Sequence, residues 1–275
     1  LFIAPERLVV AGFPELLARR KPSLIAIDEA HCISQWGHDF RPDYRLLGER
    51  LPQLRPAPVI ALTATATPDV QADIERQLGL IDAQTSIHGF RRDNIAIEVL
   101  EMPPSSRTAA VERLLTDPAR RPAILYAATR KVAEATAEAL QGRFKAAAYH
   151  AGLSPATRDQ VQEAFLSDRI DVVVATIAFG MGIDKPDVRT VAHLALPGSV
   201  EGYYQEIGRA GRDGKPSRAL LLHSFADRKT HEFFLERDYP EPGVLEGICA
   251  ALARGPVEKG ALAGVTRLAP EVFEK

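Results

Sequence analysis

Residues 28–44 combine an acidic pair with a run of aromatic and cationic side chains. The pair, Asp28 and Glu29, directly follows the apolar run 23–27, which is typical of a buried parallel strand. At the carboxyl end of such a strand, one carboxylate can hold Mg²⁺ through water while its neighbour orients or deprotonates an attacking water. A solvated strand end is the common alternative for two adjacent acids.

The residues after the acid pair favour a functional site over a solvated strand end. Aromatic and basic side chains alternate there within nine positions and include the chain's only tryptophan: Trp36, His38, Phe40, Arg41 and Tyr44. Aromatic rings can stack on bases, and guanidinium groups can pair with phosphates. The stretch therefore predicts a protein that couples ATP to nucleic acid.

The second candidate site is the segment 203–214, Tyr-Tyr-Gln-Glu-Ile-Gly-Arg-Ala-Gly-Arg-Asp-Gly. Arg209 and Arg212 each follow a glycine near a predicted helix end, and their planar, always-charged groups suit phosphate oxygens. They would act as arginine fingers on a γ-phosphate held by another domain. A basic surface turn is the alternative, but Gln-x-x-Gly-Arg-x-Gly-Arg is a demanding pattern.

Further candidate contacts lie where predicted strands of the second half of the chain end. We predict contacts with nucleic-acid phosphate for Thr176, Arg130 and His150, and with ribose or Mg²⁺ for Gly182 and Asp184. The hydroxyls of residues 63–67 can relay the state of the phosphate between domains. A structural loop or turn is the alternative for each of these segments, and His31 by itself is ambiguous.

Composition limits the partners that the chain can bind. Its 34 basic and 36 acidic residues give a net charge of −2, so local patches rather than a global basic field must hold any nucleic acid. Two cysteines make neither a disulfide framework nor a four-ligand zinc site, which indicates a reducing, cytoplasmic setting. No apolar run approaches the roughly 20 residues that a membrane span needs.

The alternation of strands and helices predicts an α/β protein with two parallel-sheet units and a helical segment at the end. We expect a first, partial unit over residues 1–90, a second over 91–226 and the helical segment over 227–275, with residues 1–4 forming a strand. The chain begins without Met, which predicts a piece of a longer protein. The last segment is compatible with the start of a winged module or with a plain helical tail.

The sequence contains four motifs that occur together: Asp-Glu-Ala-His at 28–31, Ser-Gln-Trp-Gly-His-Asp-Phe-Arg-Pro at 34–42, Phe-Gly-Met-Gly-Ile-Asp-Lys at 179–185, and the segment 205–214. Together they resemble the RecQ family, superfamily 2 DNA helicases that move 3′ to 5′. The resemblance covers roughly residues 1–226. It implies two RecA-like lobes with ATP between them, single-stranded or forked DNA crossing both, and a monomer in the cytoplasm, associated with the nucleoid in a bacterium.

The resemblance also implies roles for single residues. Asp28 would hold Mg²⁺ through water, Glu29 would be the catalytic base, and His31 would link the ATP site to the DNA-responsive loop. A sensor of single-stranded DNA would include Trp36, His38, Phe40 and Arg41. The catalytic and phosphate-contacting residues of the second lobe would be Gln205, Arg209 and Arg212.

Two departures from the family pattern bear on activity. No G-x-x-x-x-G-K-[ST] phosphate loop occurs in the sequence, and the resemblance places that loop upstream of Leu1. We therefore expect this chain alone to hydrolyse ATP poorly. Many members also carry a four-cysteine zinc module after the second lobe, but only Cys249 is present there, so we predict no zinc.

Two alternatives stay open at this point. One is an RNA helicase or another superfamily 2 translocase, which would prefer a different nucleic acid. The other is a non-catalytic nucleic-acid-binding protein that keeps the fold without the ATPase.

Overall fold

The computed structural model describes residues 1–35, 40–89, 91–180, 183–238, 241–253, 255–258, 260 and 262, and only the backbone of 230 and 233–238. Three of the predicted contact residues, Trp36, His38 and Gly182, lie outside this part of the chain. So do residues 270–275, the end of the predicted helical segment. In the described part the strands form two separate parallel sheets.

The first sheet pairs β1 (Ile25–Ile27) with β2 (Val59–Ala61) in parallel. Three α-helices accompany it: α1 (Phe13–Arg19), α2 (Pro42–Arg50) and α3 (Pro68–Gln77). Short 3-10 helices cover Pro5–Val9, Ala30–Ile33 and Leu51–Leu54. Apolar side chains from all of these elements form one core, which fixes the end of β1 against the helices.

In this first unit one sequence-based prediction is confirmed, the cap of α3, and one is wrong, the strand at residues 1–4. The Thr67 hydroxyl accepts a hydrogen bond from the Val70 amide and Pro68 opens α3, as the capping pattern predicts. The strand predicted for residues 1–4 is wrong: this segment is exposed and irregular. No described strand lies beside it to complete its backbone hydrogen bonds.

The second sheet has six parallel strands in the order β3-β8-β7-β4-β6-β5. They are β3 (Ile95–Glu101), β4 (Ala123–Tyr126), β5 (Ala146–Tyr149), β6 (Val172–Ala175), β7 (Thr190–His193) and β8 (Ser217–His223). The connecting helices are α4 (Pro104–Leu115), α5 (Arg130–Gln141), α6 (Pro155–Leu166) and α7 (Val200–Ile207). Two clusters of buried apolar side chains form the core of this unit.

Two sequence-based expectations about this sheet need correction. The sequence Pro-Pro-Ser-Ser at 103–106 predicts a break, whereas α4 begins at Pro104, because proline lacks an amide hydrogen that the first helical position does not use. The nearly all-apolar run 171–175 predicts the buried centre of the sheet. β6 is buried along its whole length, but it lies next to the edge strand β5 rather than at the centre.

Helices α8 (Phe225–Asp238) and α9 (Pro242–Leu252) follow the last strand of the second sheet. Asp227 in α8 forms a buried ion pair with Arg107 of α4, with nitrogen–oxygen distances of 2.8 and 2.9 Å. The boundary predicted after residue 226 therefore falls inside α8, and the division into domains stays a prediction. None of the described helices is long and apolar enough to cross a membrane.

Candidate functional site

A cleft of about 1350 Å³ lies between the two sheets. The first unit contributes Glu29 and residues 58–64, and the segment 80–89 that follows α3 lines another side. The second unit contributes Gly180, Ile183, Asp184, Tyr204, Gln205, Gly208, Arg209 and Arg212. Residues of the acidic motif and of the Gly-Arg motif thus face one cavity.

Glu29 is the second residue after β1 and has a left-handed backbone conformation, with φ at 50°. A non-glycine residue in that region carries backbone strain, which is common at functional sites. The next amide, that of Ala30, donates to Leu62 O at 2.9 Å and fixes the turn to the end of β2. Across the cleft, Gln205 Nε2 donates to Glu29 Oε1 at 3.1 Å, so the two units touch at this carboxylate.

His31 connects the acidic motif with the loop after β2. Its buried ring places Nδ1 2.9 Å from Thr63 Oγ1 and 3.4 Å from Glu29 Oε2. Thr63 Oγ1 also accepts from the Thr65 amide at 3.2 Å. The ring therefore lies between the acid pair and the hydroxyl-rich segment 63–67.

Asp28 is exposed beside Glu29, and its Oδ1 accepts the Glu29 amide at 2.9 Å. Burial raises the pKa of Tyr44, and Cys32, Glu29 and Asp28 act in the same direction, which places this phenol near the acid pair. Mg²⁺ bound together with a nucleotide takes most of its ligands from phosphates and water, so one exposed carboxylate suffices. Asp28 fits that requirement.

The two arginines of the Gly-Arg motif contact the loop that follows β6. Arg209 is buried, and its Nη1 donates to Gly180 O at 2.5 Å, while its Nε has no acceptor among the described residues. Arg212 donates to Ile183 O at 3.1 Å and to Asp184 Oδ1 at 3.0 Å. A buried guanidinium with a spare donor at the edge of a cleft suits an anionic oxygen, so these residues fit a phosphate group.

A buried network behind Arg209 was missed by sequence reasoning. The Tyr126 hydroxyl donates to Phe179 O at 2.8 Å, and burial raises the pKa of Tyr126 so that it stays a donor. His193 stacks on the Tyr126 ring at 5.1 Å and lies 2.6 Å from Glu206 Oε2. Glu206 stands inside the Gly-Arg motif, which is the one sequence signal that could have pointed to the network.

The residues predicted to contact DNA differ in their surroundings. In the first unit, Phe40 is half-buried beneath the guanidinium of Arg45, at 5.8 Å, and the Arg41 amide donates to Cys32 O at 2.9 Å. In the second, Thr176 is half-buried, and its amide donates to Tyr149 O at 3.1 Å.

Arg130 and His150 lie together but are not equally accessible. Arg130 is exposed, whereas His150 is 3% exposed and its Nε2 lies 2.9 Å from Glu134 Oε1. A buried ring that already has a carboxylate partner is poorly placed to contact a phosphate. The geometry favours Arg130 over His150 as a surface contact, and both roles stay predictions.

Two family models match the chain, one in each half. The DEAD/DEAH box helicase model matches residues 2–74, and the model for the helicase conserved C-terminal domain matches residues 106–214. The first match contains the acidic motif, and the second contains the Gly-Arg motif.

Curated proteins with similar sequences carry RecQ names. The chain is 45% identical over 240 residues to the ATP-dependent DNA helicase RecQ of Pasteurella multocida, covering 86% of this chain and 38% of that protein. It is 44% identical over 242 residues to the protein of the same name in Bacillus subtilis, covering 87% and 41%. It is 46% identical over 236 residues to the RecQ-like DNA helicase BLM of Xenopus laevis, covering 82% and 17%. The chain thus spans less than half the length of these relatives.

Solved helicase structures share the fold. Yeast Dbp5 bound to RNA and ADP BeF3 matches with a TM-score of 0.63 at 20% identity, over 82% of this chain and 60% of that one. Mycobacterium smegmatis helicase Lhr bound to ssDNA and AMP-PNP matches with a TM-score of 0.62 at 24% identity, over 98% and 40%. Helicase family models thus match both halves of the chain, and the chain is similar to RecQ helicases at 44–46% identity over 82–87% of its length.

Proposed function

We propose that this chain provides the ATP-coupled lobes of a RecQ-type DNA helicase, which moves 3′ to 5′ along single-stranded DNA. The observation that carries the proposal is the contact of Gln205 Nε2 with Glu29 Oε1 at 3.1 Å, in a cleft that Arg209 and Arg212 also line. A carboxylate from one unit and two guanidinium groups from the other are the parts that phosphoryl transfer needs.

In this proposal Glu29 orients and deprotonates the attacking water, and Gln205 holds its carboxylate through Oε1. Asp28 would hold Mg²⁺ through water, and the bound ion would supply positive charge that neutralises the phosphates of ATP. Arg209 and Arg212 face the transferred phosphoryl group and stabilise the charge that develops there. To do so they must exchange Gly180 O and the Asp184 carboxylate for phosphate oxygens, since these groups now accept their hydrogen bonds.

For DNA we propose two groups of contacts. In the first unit, base stacking and phosphate pairing come from the loop residues Trp36, His38, Phe40 and Arg41. In the second unit, phosphate contacts come from Thr176 and Arg130 at strand ends. His31 connects the first group to the ATP site through Thr63. We further propose forked DNA as a substrate, a monomer as the working form, and the cytoplasm as the location.

The test is ATP hydrolysis by the complete gene product that contains these residues, with single-stranded DNA, with RNA of the same sequence, and without nucleic acid. We expect strong stimulation by DNA, weaker stimulation by RNA, and loss of the DNA stimulation in Trp36→Ala. Phe225→Ala, which removes an exposed aromatic ring on α8, is the matched control and should keep the stimulation.

Three results would redirect the proposal. Stronger stimulation by RNA would favour an RNA helicase. Absence of turnover would favour a non-catalytic binding protein. Turnover that does not respond to nucleic acid would contradict the proposed coupling of ATP hydrolysis to DNA. The direction of movement is tested separately with duplexes that carry one single-stranded tail. Unwinding of the 5′-tailed duplex in preference to the 3′-tailed duplex would contradict 3′-to-5′ movement.

A further inference from the structure

The chain that joins the two units contacts the turn that carries both arginines of the Gly-Arg motif. We define the arginine turn as residues 208–212. Arg92 Nη1 donates to Gly208 O at 3.3 Å, and its Nη2 donates to Ala210 O at 3.1 Å and to Gly211 O at 2.7 Å. The Arg92 side chain therefore donates hydrogen bonds to three backbone carbonyls of the arginine turn.

Asn94 adds a second contact beside Arg92. Its Nδ2 donates to Gly211 O at 2.8 Å and to Lys215 O at 3.0 Å, while its Oδ1 accepts from Arg92 Nε at 3.3 Å. A Cβ atom on Gly211 would lie 2.5 Å from Asn94 Nδ2, and the φ of Gly211 is +55°. Glycine at this position is thus required both by the backbone conformation and by the approach of Asn94.

The position of these carbonyls explains why an arginine binds them. They lie just beyond the last residue of α7, near the negative end of the helix dipole, which favours a positive charge. A guanidinium group supplies several donors in one plane, so it can satisfy several carbonyls at once. Lysine, with a single charged nitrogen, would reach fewer of them.

The contact joins two parts of the cleft that are far apart in sequence. The segment 80–89 leads from α3 along the cleft wall, residues 91–94 follow it, and β3 begins at Ile95. The arginine turn lies at the opposite end of the second unit's sequence, but the hydrogen bonds of Arg92 and Asn94 fix it to this connection. The backbones of Arg209 and Arg212 are therefore placed from the connection between the units.

We infer that Arg92 and Asn94 are positioning residues for Arg209 and Arg212, and that they couple the arrangement of the connecting chain to the placement of both guanidinium groups. The inference rests on the proposed ATPase function. It makes Arg92 a residue that acts through Arg209, not a residue that binds the nucleotide.

A first experiment measures order in the turn without relying on catalysis. In the complete gene product, Arg92→Gln should accelerate amide hydrogen exchange in a peptide that spans residues 207–214. Arg91→Gln is the matched control, since the Arg91 side chain is 89% exposed and pairs with Asp93. Unchanged exchange in Arg92→Gln, or equal acceleration in both variants, would overturn the inference.

A second experiment tests whether Arg92 acts through Arg209 in DNA-stimulated ATP hydrolysis. We expect Arg92→Gln to lower kcat about 10-fold with a smaller change in KM, and Arg92→Lys to recover little of the loss. In the Arg209→Ala background, Arg92→Gln should have a clearly smaller effect than in the unaltered protein, because one of its two targets is gone and only the placement of Arg212 is still affected.

Other outcomes contradict the inference in distinct ways. Fold-changes that multiply in the double variant would show that Arg92 acts independently of Arg209. A raised KM at constant kcat would assign Arg92 to direct nucleotide binding. If the unaltered protein shows no ATP turnover, the proposed function is overturned. The hydrogen exchange experiment would then still decide whether Arg92 orders the arginine turn.

Discussion

At the scale of single residues, the Glu29 carboxylate is held from two sides. Gln205 binds Oε1 from the second unit, and the His31 ring lies 3.4 Å from Oε2 within the first. Both contacts limit the rotation of the carboxylate, which matters for the proposed role of Glu29 in orienting water. Since Gln205 contacts it from the other unit, Gln205 would tie the orientation of the proposed base to the closeness of the units.

Removing this contact should slow catalysis without abolishing it. We expect Gln205→Ala to lower kcat for DNA-stimulated ATP hydrolysis about 10- to 100-fold, the equivalent of one hydrogen bond to a charged group. The measurement is steady-state turnover by the complete gene product. Gln141→Ala at the end of α5 is the control, and a Gln205→Ala rate equal to that of the control would contradict the role.

Asp73 in α3 is the buried carboxylate that supports the loop after the acid pair. Burial alone would raise the pKa of Asp73, but hydrogen bonds from Ser34, Gln77 and Arg76 outweigh it and hold the pKa below its ordinary value. A carboxyl whose pKa is lower in the folded state stabilises the fold above its unfolded pKa. That stabilisation is lost as the pH falls through the folded pKa.

Asp73→Asn should therefore lower the free energy of unfolding by about 1–3 kcal/mol at pH 7. The deficit should shrink as the pH falls below the ordinary carboxyl range, because Asp73 is then protonated in the parent as well. Urea denaturation over a pH series measures this, with Asp159→Asn on the exposed face of α6 as the control. A deficit that stays constant with pH would show that packing, and not charge, is the cause.

At the scale of elements, helix caps and apolar runs were predictable because they depend on neighbouring residues. Thr67 and Ser154 each accept an amide hydrogen bond at the start of a helix, as their sequence positions indicate. Helix α4 was missed, since Pro103 and Pro104 at its start suggest a break as readily as a helix start. The start of α8 was predicted two residues too late, because its anchor, the ion pair of Asp227 with Arg107, joins residues far apart in sequence.

The packing of α2 against α3 gives a prediction at this scale. A Cβ atom on Gly48 would lie 2.0 Å from Gln77 O, a backbone atom that cannot turn aside. Gly48→Ala should therefore lower the free energy of unfolding by about 1–3 kcal/mol or more. Gly247→Ala in α9, where no described atom lies within 4 Å, should be neutral or slightly stabilising. Equal stability of the two variants in urea denaturation would contradict the close packing.

At the scale of the whole molecule, the cleft joins two motifs that the sequence keeps far apart. The residue types and spacing predicted each half of the site, and the family resemblance implied that ATP lies between them. The contact of Gln205 with Glu29 and the hydrogen bonds of Arg92 were not predictable, because both depend on how the two units meet. The burial of His150 could not be predicted from the sequence either, because its partner Glu134 lies on another element.

The central claim is that Glu29 and Arg209 serve one ATP molecule from opposite sides of this cleft. Its most direct test is DNA-stimulated ATP hydrolysis by the complete gene product, its Glu29→Gln variant and its Arg209→Ala variant, with nucleotide affinity measured on the same samples. We predict that both variants still bind ATP and that each loses turnover by about 10²-fold or more. Turnover near the unaltered rate in either variant would contradict the claim.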